Sequence, residues 1–145
     1  MKTINHSLMA LLLCFGLFSA QILLAAEDSP HKVVIQVSTD DPQTQKTALN
    51  NAVNLQKALG QDNVEIEVVA YGPGLSLLTS NSSQGKRVTS LAMQDIKFSA
   101  CGNTIRGIER KTGKKPELLE GVTMVEAGVL RLVELHEQGY TYVRP

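Results

Sequence analysis

The sequence predicts an α/β fold, a three-layer sandwich with a mainly parallel sheet of about five strands. Two observations support this prediction. HKVVIQVS is a continuous run rich in β-branched residues, as expected of a strand that helices cover on both faces, and NVEIEVVA supplies a second strand. Segments with helical spacing of apolar residues lie between these runs, and such alternation favours parallel strands joined by crossover helices.

The amino-terminal half supplies two strands and one long helix. The run from Val33 to Val37 predicts the first strand. Asp41 can cap the helix that follows and Pro42 can occupy its first position, while Gly60 is expected to end it. NVEIEVVA predicts the second strand, and the segment YGPG ends that strand because its glycines and proline form a turn.

The carboxyl-terminal half continues the alternation. LSLL and the segment around Val88 predict short helices on either side of a polar loop, and IKFSA predicts a short strand that leads directly into Cys101. A helix follows, with Asn103 or Thr104 near its N-cap and Gly113 near its end. VTMV predicts a fourth strand, GVLRLVELHE a last helix, and YTYV a final strand at the edge of the sheet.

Residues 1–26 are expected to be a secretory signal peptide. Lys2 precedes an apolar stretch that ends at Ala25 and Ala26, and cleavage after either alanine leaves a small residue at the cut. An uncleaved anchor is the alternative, because the stretch is nearly as long as the ~20 residues that cross a bilayer. We favour cleavage, which predicts a single domain of residues 27–145 that is periplasmic or secreted and has no stable membrane span.

The composition argues against several classes of partner and cofactor. The 14 Lys and Arg residues balance 14 Asp and Glu residues, so nothing indicates nucleic-acid binding. His31 and His136 are isolated, and two such histidines with one cysteine do not make a metal site. The segment YGPGL lacks the glycine spacing and the lysine of a phosphate-binding loop. We therefore expect no metal and no cofactor.

Cys101 is the residue that most strongly indicates function. Removal of the signal peptide takes Cys14 away and leaves Cys101 as the single thiol in a compartment where thiols usually pair. It is expected to follow a strand and to precede a helix. There Gly102, Asn103 and Thr104 would present unpaired amide donors and the positive end of the helix dipole.

These donors favour a thiolate over a thiol, which predicts Cys101 as the catalytic residue. The same reasoning predicts Gly102, Asn103 and Thr104 as residues that bind the substrate. Arg106, about one helical turn beyond the thiol, could hold an anion or lower the pKa of the thiol.

Other interpretations of Cys101 remain open. Free cysteines are often small buried hydrophobic residues, although the position after a strand favours reactivity. The absence of a neighbouring cysteine excludes a CxxC redox mechanism. A persulfide carrier, a redox sensor that forms an intermolecular disulfide, and a non-enzymatic module in which the cysteine lines a pocket remain. In the last case the apolar helix from Val129 to Leu135 would be buried between subunits.

Three segments, YGPGL, FSACGNT and EAGVLRLVELHEQGYTYVRP, resemble in this order the DsrE/DsrF-like sulfur-relay proteins, in particular their exported single-domain branch. The resemblance extends over nearly all of the chain from His31 to Pro145. It implies a small α/β sandwich that assembles into homo-oligomers. It also implies a cysteine, by position Cys101, that carries sulfur as a persulfide for a thiol-bearing acceptor protein. The expected function is a periplasmic sulfur carrier or sulfurtransferase, with an oligomeric binding or assembly module as the alternative.

Overall fold

The computed structural model describes residues 30–145, so the predicted signal peptide lies outside the described residues. The strands are β1 (His31–Val37), β2 (Val64–Ala70), β3 (Ile96–Cys101), β4 (Val122–Val125) and β5 (Thr141–Val143). The α-helices are α1 (Pro42–Leu59), α2 (Gly85–Ala92), α3 (Gly102–Thr112) and α4 (Gly128–Glu137), and two 3-10 helices cover Gln61–Asn63 and Gly72–Leu78.

The strands form one five-stranded sheet in the order β4-β3-β2-β1-β5. Every neighbouring pair in this sheet is parallel, which confirms the predicted parallel α/β architecture. At the centre of the sheet Ile35 lies opposite Val68, and Val68 lies opposite Phe98. These apolar side chains therefore form a continuous row across three strands.

Helices cover both faces of the sheet, so the fold is a three-layer sandwich. α1, α2 and α3 pack on one face, where Leu49, Val88 and Ile105 meet the strands in the larger core. α4 covers the opposite face, where Leu135 packs against Val34 in a smaller cluster. Full burial of one such aliphatic side chain stabilises the fold by about 1.5–3 kcal/mol.

The ends of two helices follow local signals that the sequence carries. Asp41 caps α1 and accepts a 2.7 Å hydrogen bond from the N–H of Thr44, with Pro42 as the first helical residue. Gly60, at φ 90°, ends α1, and Gly113, in the left-handed region at φ 71°, ends α3. These boundaries confirm the sequence predictions.

The segment after β2 differs from its prediction. YGPG was expected to form a turn before a short helix, but the 3-10 helix already begins at Gly72. The N–H of Gly74 donates to the carbonyl of Tyr71 at 3.1 Å, so the turn is the first part of the helix. None of the helices within residues 30–145 is both long and apolar enough to cross a membrane.

Candidate functional site

Cys101 ends β3 at a place where the connections of two neighbouring strands diverge. β3 leads into α3 on one face of the sheet, whereas β4, which pairs with it, leads into α4 on the opposite face. The first turns of α3 and α4 therefore lie on opposite faces of the sheet at the carboxyl ends of these strands. Open α/β sheets bind their ligands at such a switch point.

The N-cap of α3 is Cys101 itself. Asn103 and Thr104 lie near this cap, in the first turn, as predicted, because β3 keeps its pairing through Cys101, which lies opposite Val125, and the helix begins directly at Gly102. The sulfur is thus one residue before the first helical turn.

Donors from both helices surround the sulfur and control its ionisation. Burial raises the pKa of the Cys101 thiol, but polar O–H and N–H groups close to the sulfur outweigh this effect. These groups are the hydroxyl of Thr104 and the backbone N–H groups of Gly128, Thr104 and Asn103. The net effect lowers the pKa of Cys101 below its ordinary value, as expected for a thiol at a helix N-terminus.

The N–H and O–H groups near the sulfur differ in whether they already donate to another acceptor. The N–H of Asn103 already donates to the carbonyl of Glu126 at 3.1 Å, and Cys101 forms no regular side-chain N-cap bond to α3 within the described residues. The hydroxyl of Thr104 and the N–H of Gly128 are therefore the most effective donors.

A second hydrogen bond orients the hydroxyl of Thr104. The N–H of Gly72 donates to Thr104 Oγ1 at 2.9 Å. Since this bond occupies a lone pair of the oxygen, the hydroxyl proton is free to point at the sulfur of Cys101. The YGPG segment thereby contributes to the site through Thr104.

Gly102 allows two backbones to approach each other closely. A Cβ atom at this position would lie 2.9 Å from the carbonyl oxygen of Val125 and 3.1 Å from that of Glu126. These are backbone atoms at the end of β4 and in the following loop, so they cannot move without shifting α4. The geometry gives Gly102 a packing role, in addition to any role in substrate binding.

Arg106 interacts with the same loop. Its guanidinium donates to Asn103 Oδ1 at 2.5 Å and to the carbonyl of Glu126 at 3.4 Å, and its side chain is exposed. The predicted residues Gly102, Asn103, Thr104 and Arg106 are therefore together in space. Asn103 and Arg106 connect the start of α3 to the loop before α4.

Gly128 is a contributor that the sequence analysis missed. It was expected only as the start of a helix, because the order of strands, which brings that start beside Cys101, is not visible in local patterns. A Cβ at Gly128 would lie 2.9 Å from Cβ and Cδ1 of Tyr71, so glycine permits this close approach. The sequence does carry a weak signal for this contact: an aromatic residue, Tyr71, follows one strand, and a glycine, Gly128, starts a later helix.

The sulfur is sheltered from solvent, and a cavity beside α3 is lined by residues of that helix rather than by Cys101. Cys101 is 5% exposed. This cavity of about 590 Å³ lies between α3 and the 3-10 helix at Gly72–Leu78 and is lined in part by Thr104 and Lys111. No group of three or more His, Cys, Asp and Glu residues within the described chain could hold a metal ion. The chemistry that the site can support is that of a thiolate.

Among solved structures, the chain is similar to MTH1491 from Methanobacterium thermoautotrophicum, a protein of unknown function. The two chains are 35% identical and align with a TM-score of 0.72. The match covers 79% of this chain and 99% of MTH1491. No protein-family model and no curated protein matches the chain.

Proposed function

This chain belongs to the same family as MTH1491, and we propose that it is a sulfur-handling protein. The surroundings of Cys101 support a role in which this cysteine carries sulfane sulfur as a persulfide. We also propose that it is a DsrE/DsrF-like protein of the exported branch, which residues 1–26 direct to the periplasm. The segments YGPGL and FSACGNT and the signal-like amino terminus support these two proposals.

The observation that carries the proposal is the position of one sulfur between two helix N-termini. Polar groups of Thr104 in α3 and Gly128 in α4 lie close to the sulfur of Cys101 and lower the pKa of its thiol against the opposing effect of burial. The thiolate is the nucleophilic form of cysteine. A purely structural buried cysteine needs no such set of donors.

The first step of the proposed reaction loads sulfur onto the protein. The thiolate of Cys101 attacks the terminal sulfur of a polysulfide or of a low-molecular-weight persulfide. A new S–S bond forms, the S–S bond of the donor breaks, and the electron pair leaves with the rest of the donor, as a shorter polysulfide or as a thiolate, respectively. The persulfide on Cys101 keeps one negative charge, which the donors around it can stabilise.

The second step transfers the sulfur to an acceptor. A thiolate of an acceptor protein attacks the outer sulfur of the Cys101 persulfide, and the S–S bond to Cys101 breaks. The acceptor leaves as a persulfide and Cys101 returns to a thiolate. Electrons balance without an external oxidant or reductant, so the reaction requires no cofactor.

Mass spectrometry of the mature protein tests the proposal. After treatment with polysulfide, the peptide that contains Cys101 should gain about 32 Da, the mass of one sulfur. This mass should disappear when a thiol acceptor is added. Cys101→Ala is the control that should not be modified. Absence of the adduct in the wild-type protein, or an equal adduct in the Ala variant, would refute the sulfur-carrier function.

A second function, as an oligomeric assembly module, is favoured by a specific surface. On α4 the side chains of Val129, Leu130 and Val133 are 63%, 44% and 49% exposed. Exposed apolar side chains grouped on one helix are typical of subunit contacts. We propose a homo-oligomer that uses this surface, and the assembly is compatible with sulfur transfer.

The redox-sensor interpretation has less support. An intermolecular disulfide requires the Cα atoms of two cysteines to approach within roughly 7 Å. Two copies of Cys101, each 5% exposed, would have to come this close together. A reducible dimer on a non-reducing gel would favour that interpretation over the persulfide carrier.

A further inference from the structure

The buried charge of Glu67 is the most unusual feature of the sheet near Cys101. Glu67 lies in the middle of β2 and is 1% exposed. Arg131 binds both carboxylate oxygens of Glu67, with its Nε 2.8 Å from Oε1 and its Nη2 2.8 Å from Oε2. The hydroxyl of Ser99 donates to Oε1 at 2.6 Å. A charge buried in the central sheet is costly unless it is paired in this way.

These contacts connect three elements that converge on Cys101. Glu67 belongs to β2, Ser99 lies two residues before Cys101 in β3, and Arg131 lies in the first turn of α4. Side chains two apart in a strand point to the same face. The Glu67–Arg131 pair is therefore on the face of the sheet that α4 covers and toward which Cys101 points.

The position of Arg131 within α4 explains why this pair bears on the site. The backbone N–H of Arg131 donates to the carbonyl of Ala127 at 3.0 Å and so closes the turn that begins at Gly128. A side chain anchored at Arg131 fixes this turn on the sheet. Tyr71 packs against Gly128 and so restrains the same turn.

We propose that Glu67 and Arg131 are positioning residues that hold the first turn of α4 on the sheet, so that the N–H of Gly128 points at the sulfur of Cys101. The inference rests on the proposed function only in taking Cys101 as the reacting group. The bidentate pairing suits this role, because a planar guanidinium on a carboxylate fixes orientation as well as distance.

Two physical effects make opposite predictions for the variant Glu67→Leu. If Glu67 acted on Cys101 only through its charge, its removal would take away a nearby anion, favour the thiolate and lower the pH of half-maximal alkylation. If Glu67 acts by positioning, its removal releases Arg131 and the first turn of α4. The midpoint then rises because a donor to the thiolate is lost.

Glu65→Leu is the matched control. Glu65 lies on the same strand and the same face, also carries one negative charge, and is hydrogen-bonded to the hydroxyl of Tyr140 at 2.8 Å. The Glu65→Leu substitution therefore removes one negative charge but leaves the Glu67–Arg131 pair intact. Its alkylation midpoint should stay at the wild-type value or fall.

The experiment measures the rate of reaction of Cys101 with iodoacetamide against pH in the wild-type protein and both variants. For Glu67→Leu we expect a higher midpoint and a rate at pH 7 that is about three- to tenfold lower, as for a weakened hydrogen bond to a charged group. A midpoint that is unchanged or lower in folded Glu67→Leu would overturn the inference.

A second variant covers the case in which Glu67→Leu does not fold. Arg131→Lys keeps the positive charge but replaces the planar fork by a single ammonium, so the turn is held less firmly. Its midpoint should also rise, and an unchanged midpoint would overturn the inference. The shift in the alkylation midpoint between variants can be measured whether or not Cys101 accepts sulfur. The polysulfide adduct tests the proposed function separately.

Discussion

The hydroxyl of Thr104 connects the fold to the chemistry of Cys101. It accepts a 2.9 Å hydrogen bond from the N–H of Gly72, and it is the strongest of the donors that lower the pKa of the thiol against the effect of burial. One side chain thus links the segment after β2 to the sulfur at the end of β3. Its removal should affect reactivity more than stability.

Thr104→Val should raise the pH at which Cys101 reacts half-maximally. Valine keeps the shape of threonine but cannot donate, so the thiolate loses one hydrogen bond. The rate of alkylation by iodoacetamide at pH 7 should fall by about tenfold. Thr112→Val, in the same helix but with its hydroxyl on the carbonyl of Ile108, is the control and should react like the wild type. Equal rates in all three proteins would contradict this assignment.

Gly102→Ala should destabilise the protein, because its Cβ would lie 2.9 Å from the carbonyl oxygen of Val125. Such overpacking costs about 1–3 kcal/mol of the free energy of unfolding. Gly107→Ala, in the same helix, has no atom closer than 4.0 Å to the added Cβ and should stabilise by about 0.5–1 kcal/mol. Urea unfolding of both variants measures the difference. A Gly102→Ala protein as stable as Gly107→Ala would contradict the close packing.

Only part of this site could be predicted from local sequence. Cys101, Gly102 and Thr104 follow a recognisable strand, so a thiol at a helix N-terminus was a reasonable expectation. Gly128 could not be found in this way, because it is brought to Cys101 by the pairing of β3 with β4 and by the exit of α4 on the opposite face. The order of the strands, rather than any local sequence pattern, brings the two helix N-termini to the sulfur.

Among the helices, α4 depends most on polar contacts with the sheet. The larger core lies on the other face, while α4 buries Leu135 in a small cluster and is anchored by Arg131 on Glu67. Burial raises the pKa of Glu67, but the hydrogen bonds from Arg131 and Ser99 outweigh it, so the pKa lies below its ordinary value. The same pairing raises the pKa of Arg131.

The lowered pKa of Glu67 predicts a specific acid sensitivity. The unfolded chain takes up a proton at the ordinary carboxyl pKa, whereas the folded state does so only at lower pH. The stabilisation by Glu67 is therefore complete above about pH 4.5 and is lost as the pH falls through the lower folded pKa. In urea unfolding, the wild type should lose stability below about pH 4.5 more steeply than Glu67→Gln. If the free energy of unfolding fell equally steeply with decreasing pH in both proteins, this would contradict the pairing of Glu67 with Arg131.

The order of helices and strands was predictable because the local signals are strong. α1 has a capping aspartate, a proline at its first position and a terminal glycine, and β1 and β2 are rich in Val and Ile. The N-cap of α3 could be placed only to within two or three residues, because the end of β3 is set by its pairing with Val125, a contact between distant parts of the chain. The buried role of Glu67 was missed for the same reason, since its partner Arg131 is 64 residues away.

The exposed apolar residues of α4 matter for the assembly of the whole molecule. Val129 and Val133 lie one helical turn apart and are 63% and 49% exposed. The double variant Val129→Lys/Val133→Lys should shift the protein toward monomer, because charged side chains cannot be buried in an apolar contact without a partner. Sedimentation velocity measures the change.

Met93→Lys is the control for this experiment. Met93 is 76% exposed and follows α2, on the other face of the sheet, so its replacement should leave the assembly intact. A wild-type protein that is monomeric at tens of micromolar would contradict the proposed oligomer. It would leave the chemistry of Cys101 unaffected.

The central claim is that two helix N-termini lower the pKa of the Cys101 thiol. The measurement that tests it most directly is the pH dependence of the alkylation rate of Cys101 in the wild-type protein. We predict a midpoint below the ~8.5 of a free thiol. A midpoint at or above that value would show that burial outweighs the donors, and would contradict the account.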